Sequence, residues 1–141
     1  DCAGEVAIRA CNLPVADALQ SVRPELFSCP GAILRIGLEP RHPIAWGYER
    51  ETAIMFAASP AYAVQPRRKD QVKIIARYPA SDQLLSGWVL GEERLAGKAA
   101  ILEARVGRGK AILFGFRPLF RAQTWANYRL LFNALYLDVT A

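Results

Sequence analysis

Apolar and polar residues follow two rhythms along this chain. In "AILRIGL", Leu34, Ile36 and Leu38 fall on one side and Ile33 and Arg35 on the other, with Pro40 closing the run; this predicts a strand. "VKIIARY" alternates in the same way, with Val72, Ile74, Ala76 and Tyr78 against Lys73, Ile75 and Arg77. "AAILEARV" sets Ala100, Leu102, Ala104 and Val106 against Ile101, Glu103 and Arg105, a strand with one face partly wet. "TAIMFAASPAYAV" up to Pro60, and "AILFGF", are apolar on both faces, as central strands covered above and below are. The helical rhythm appears at the two ends. Residues 4–11 read as a short helix stopped by Asn12 and the Leu13-Pro14 pair, and residues 16–22 as a second short one. "TWANYRLLFNALYL" repeats apolar residues at helical spacing, predicting a helix over about 124–137 with Thr124 as its N-cap and Trp125, Tyr128, Phe132 and Leu135 along its apolar stripe. "LLSGWVLGEERLAG" holds Gly87 and Gly91 and reads as irregular.

The glycines of "VGRGKAILFGFRP" raise the question of a phosphate cradle. A phosphate-binding loop needs a first glycine where Ala104 stands and a hydroxyl residue where Ala111 stands. The dinucleotide fingerprint fails as well, because Ile112 occupies its third glycine position and a strand, not a helix, follows. Gly107-Arg108-Gly109 therefore predicts a tight hairpin turn joining two strands over about 99–116.

Composition bounds the rest. The chain has 141 residues, enough for one core, and 52% are hydrophobic, so residues 1–141 read as a single globular domain. Its apolar runs are too short to span a bilayer, so no membrane partner is expected. It begins with Asp1 rather than Met and lacks the pattern of a signal peptide, as a processed chain or a fragment would. Cys2, Cys11 and Cys29 are odd in number and crowd the start, which does not suggest a disulfide framework. A single histidine, His42, precludes an ordinary zinc peptidase centre and is expected in a turn beside Pro43. A cysteine hydrolase would have to pair Cys29 with His42, yet Pro30 removes the backbone donor best placed for an oxyanion hole.

Charge is unevenly spread. The net charge is +5, and Arg105, Arg108, Lys110, Arg117, Arg121 and Arg129 lie in a stretch, residues 104–137, without Asp or Glu. A solvated face or a surface matching an acidic neighbour is the simpler reading, and nucleic acid is not the expected partner. Arg117 and Arg121, between a strand end and a helix start, could join Gln123 and Thr124 in holding a carboxylate or phosphate. "QPRRKDQ" is another basic stretch and reads as an exposed loop.

Taken in order, "CPGAILRIGLEPRHPIAWGY", "FAASPAY", "SGW", "GEERLAGK", "GRGKAILFGFRP", "RAQT" and "LLFNALY" resemble the C-terminal glutamine-amidotransferase-like domain of bacterial zinc carboxypeptidases of the carboxypeptidase A type. The resemblance covers roughly residues 13–137. It implies an α/β, flavodoxin-like three-layer fold, with a mixed sheet that includes the antiparallel hairpin, of which this chain supplies the latter part. It also implies a non-catalytic accessory domain, packing on or regulating an upstream peptidase domain that holds the zinc. No catalytic residue and no cofactor of this chain follow from it, since none of the zinc-binding positions exists here. One short and one long helix are too little cover for strands apolar on both faces. An exposed side is therefore expected, to be met by the missing N-terminal part, the peptidase domain or a second copy. The alternative is a binding module for an anionic small molecule at the Arg117/Arg121 corner.

Overall fold

A computed structural model describes residues 2–137. Helix α1 spans Cys2–Ala10, and strands β1 to β8 span Val15–Asp17, Ala32–Leu38, Glu51–Phe56, Tyr62–Val64, Val72–Arg77, Leu84–Gly87, Ala99–Val106 and Gly109–Phe114; helix α2, Asn127–Tyr136, follows. The strands form one open sheet in the order β1-β4-β7-β5-β2-β3, with β8 also beside β7 and β6 also beside β2. Every pairing among the described strands is antiparallel. Helices and sheet are combined as expected, but the sheet is not the mixed, flavodoxin-like one expected: such a sheet is parallel through its centre, and every described pairing here is antiparallel.

The central strand is β7. It pairs with β5 on one edge, from Val72 opposite Ala104 to Arg77 opposite Ala99, and with β8 and the start of β4 on the other. Ala99, Ala100, Ile101, Leu102 and Ala104 are all buried. Successive side chains of a strand point to opposite faces. Ile101 accordingly joins the larger core with Leu34, Ile36, Ile54 and Phe56, while Leu102 joins the smaller one with Leu13, Val15, Tyr62 and Leu113. Ala7 and Ile8 of α1 pack on the smaller core; Leu130, Ala134 and Leu137 of α2 and its end pack on the larger.

Several expectations change. The strand expected to be partly wet, β7, is the most buried; β3 and β8, expected at the centre, each pair with a single neighbour and are partly exposed. The wet face of β7 is smaller than its sequence suggests because Glu103 is nearly covered, facing His42 and Lys73. Residues 16–22 do not form a helix. Their start is strand β1, and the Asp17 carboxylate accepts from the amides of Leu19 and Ala61, which turns the chain and ties it to β4. The irregular stretch contains β6 and a single 3-10 turn, Glu92–Arg94. A bulge between Ile74 and Ala76 breaks the alternation of β5 and buries Ile75 and Ala76 together.

Two glycines are needed where they stand. At Gly115 the chain leaves β8 and its amide bonds the Ala100 carbonyl at 2.7 Å; a Cβ there would lie 2.7 Å from the Pro60 carbonyl oxygen. Gly107 has φ 56° in the two-residue loop between Val106 and Gly109, which pair with each other. A Cβ on Gly107 would meet nothing within 4 Å, so any penalty there is one of backbone conformation alone. Gly107→Val should therefore lower stability by about 1 kcal/mol or more, and Arg108→Ala at the same tip by less than about 0.5 kcal/mol. Chemical denaturation of both variants checks the contrast; equal effects would contradict the hairpin geometry.

Candidate functional site

Helix α2 and the residues flanking it carry two stripes. Trp125, Tyr128, Phe132 and Leu135 form an apolar one, and Asn127, Leu130, Ala134 and Leu137, apolar except for Asn127, form the other at the same spacing. The stripes are two residues apart, which at about 100° per residue places them on nearly opposite faces. The sequence favours burial of the first, because it is the more hydrophobic. The structure buries the second: Asn127 and Leu130 are fully buried, whereas Trp125 is 78% exposed, Leu135 64% and Phe132 52%.

Polar contacts to residues 43–48 fix this orientation. The side-chain amide of Asn133 donates to the carbonyls of Ile44 and Trp46, at 2.9 and 3.0 Å, and Arg129 donates to the Gly47 carbonyl at 2.5 Å. Tyr48 donates its hydroxyl to the Ala126 carbonyl, and the Arg129 guanidinium lies over the Tyr48 ring at 5.8 Å. Outside these contacts, Tyr48, Trp125, Tyr128, Arg129 and Phe132 line an open groove of about 630 Å³. Trp46, exposed to 64%, adds a further aromatic surface near Asn133. The groove was not legible in the sequence as a site. Its one signal is the presence of two apolar stripes on a helix long enough to cover only one core.

At the strand-to-helix corner, Arg117 and Arg121 each set a guanidinium group against the Phe120 ring, at 5.7 and 5.5 Å from its centre. Gln123 is exposed. Thr124 is not the N-cap: its hydroxyl donates to the Ala53 carbonyl of β3 at 2.5 Å, and α2 starts later, with Ala126 before its first residue. The amides of Asn127 and Tyr128 bond the carbonyls of Thr124 and Trp125, so the turn itself satisfies donors that an anion would need. Arg121 and Ala122 both adopt left-handed backbone, φ 48° and 57°, a cost that the tie of Thr124 to β3 helps to hold.

Cys29 and His42 each sit in a structural setting. Burial pushes the Cys29 thiol up to about 11, so it stays protonated at neutral pH. His42 heads the 3-10 turn Pro43–Ala45, and its Nδ1 accepts from the Ile44 amide at 3.3 Å. The proton of the neutral ring is therefore on Nε2, which faces the Glu103 carboxylate at 3.5 Å. Both ring nitrogens are engaged. Among the described residues no group of three His, Cys, Asp or Glu side chains converges as metal ligands. No helix there is long and apolar enough to cross a membrane. Comparison of the chain with protein-family models, with curated proteins and with solved structures finds no match.

Two tests follow from this geometry. Burial lowers the affinity of His42 for a proton below its ordinary 6.5, and the Glu103 carboxylate offsets this only in part. The unfolded chain then takes up the proton first as pH falls, so the stability that His42 contributes is full above pH 6.5 and is lost below it, as pH drops through the folded value. Melting temperatures at pH 7.5 and 5 should converge in His42→Gln relative to the parent; an equal drop in both would remove His42 as the cause. At the arginine corner, sulfate should raise the melting temperature of the parent and of Arg67→Ala, and fail to do so in Arg117→Ala and Arg121→Ala. Equal responses in all variants would reduce the effect to charge screening.

Proposed function

We propose that this chain is a non-catalytic accessory domain of a zinc metallocarboxypeptidase-like protein and that it packs on the peptidase domain through the outer stripe of α2. The observation that carries the docking role is the exposure of Trp125, Phe132 and Leu135 beside Trp46 and Tyr136, while the less hydrophobic stripe of the same helix is buried. A helix apolar on both faces is ordinarily covered on both. Large exposed apolar patches mark interaction surfaces. Arg129, at the groove, and the stretch of residues 104–137 without acidic side chains favour a partner surface that is acidic around an apolar centre. The peptidase context comes from the sequence resemblance alone. The antiparallel sheet adds nothing to it, so the flavodoxin-like layer order is not part of what supports the reading. Binding of an anionic small molecule at the Arg117/Arg121 corner is a second reading, supported by the placement of both guanidinium groups against the Phe120 ring.

The intact gene product tests the proposal. It should encode a His-x-x-Glu and a distant His on the N-terminal side of this chain and bind one zinc. Trp125→Ser with Phe132→Ser should shift the melting temperature of the isolated chain little, because both side chains are more than half exposed. In the intact protein the same pair should retain zinc while making the domain junction more susceptible to limited proteolysis. An unchanged junction would discard α2 as the contact. Absence of the zinc-binding residues would discard the peptidase assignment and leave the docking face to a second copy, which light scattering detects.

A further inference from the structure

The basic turn Pro66–Gln71 plays no part in the α2 face or the arginine corner. It carries the chain across β7 from β4, whose Tyr62 lies opposite Ala99, to the start of β5, whose Val72 lies opposite Ala104. In doing so it brings Lys69 to Arg77 of β5 and to Lys98, which leads into β7, around one open groove of about 670 Å³. The sequence places these cations up to 29 positions apart, and only the sheet order unites them. The floor includes Val64, Val72 and Ile74, which pack on the smaller core yet remain partly exposed. Ala7 and Ile8 of α1 pack on that same core. Asp70 is the one carboxylate in the lining, leaving an excess of positive charge. None of the three cations forms an ion pair among the described residues. Arg77 donates to the Gly97 carbonyl at 3.2 Å, which holds its stem at the rim.

We propose that this groove binds a small amphipathic carboxylate, an apolar body carrying one anionic group. The cations receive the carboxylate, and the apolar body covers the Val64, Val72 and Ile74 surface. A bare inorganic anion would use the rim and leave the floor wet; an uncharged apolar molecule would use the floor and leave the cations without a partner. The volume falls in the range of small-molecule sites, roughly 300–1,000 Å³. The site does not depend on the accessory-domain reading, since it involves no residue of α2.

Calorimetric titration of the chain with octanoate, octanol and inorganic phosphate tests it, with vesicles of phosphatidylglycerol as a separate arm. Octanoate should bind saturably at one site and more tightly than octanol or phosphate. Lys69→Gln and Lys98→Gln should each weaken it by up to about fivefold, with unchanged melting temperature, whereas Arg108→Gln at the hairpin tip should not. Phosphate binding as tightly as octanoate, octanol binding equally well, or lysine variants indistinguishable from the parent would overturn the proposal. So would the absence of saturable octanoate binding, including the case in which vesicles alone are bound.

Discussion

The whole arrangement depends on β7 having partners on both edges and a core on both faces. Its Ala99, Ala100 and Ala104 are buried between the layers that cover the two faces, and Gly115 lets β8 leave beside Ala100 and Pro60 without a side chain in the way. The cost of closing such long-range contacts is met by burial on both sides, with Ile101 serving the larger core and Leu102 the smaller. The turn Pro66–Gln71 and the hairpin at Gly107 are the connections that bring β5 and β8 to the two edges of β7. The basic groove is a by-product of that crossing.

Helix α2 illustrates how polar contacts can overrule hydrophobicity locally. Turning its more apolar stripe inward would place Asn133 and Arg129 away from the carbonyls of Ile44, Trp46 and Gly47, and would leave those carbonyls to find other donors. Desolvating such groups without a partner costs free energy comparable to that of burying an apolar side chain. The observed orientation supplies donors to these carbonyls while burying the Asn127 side-chain amide without a hydrogen-bond partner among the described residues, and the consequence is an aromatic groove facing outward. The proposed docking role thus follows from the arrangement of residues 43–48 as much as from the helix.

His42 has a similar structural logic. It heads a turn through Nδ1, and the N–H of its neutral ring faces the Glu103 carboxylate through Nε2 where that carboxylate is nearly covered on the wet side of β7. Those roles use both nitrogens, and Cys29 lies in the larger core as a protonated thiol.

By itself the sequence determined what local geometry controls. The strands over residues 32–38, 72–78 and 99–106, the glycine hairpin and the C-terminal helix are all present because a period of two or of 3.6 is a property of the backbone, expressed within a few residues. Glycine at the hairpin was equally legible, since positive φ is a local demand. Tertiary structure decided everything that needs a distant partner. β8 is apolar on both faces whereas β7 carries Glu103 and Arg105 on one, which favoured β8 for the centre; which of them is central rests instead on whether β5 pairs beside it. Residues 16–22 have helical spacing, but Asp17 bonds Ala61 and makes a strand. Only the Trp125, Tyr128, Phe132 and Leu135 stripe was read from the sequence of α2, and the face that is buried instead rests on carbonyls some 80 positions away in sequence. Likewise Arg117 and Arg121 could be placed near each other because they are neighbours on the chain, whereas Lys69, Arg77 and Lys98 meet only because β4 and β5 flank β7.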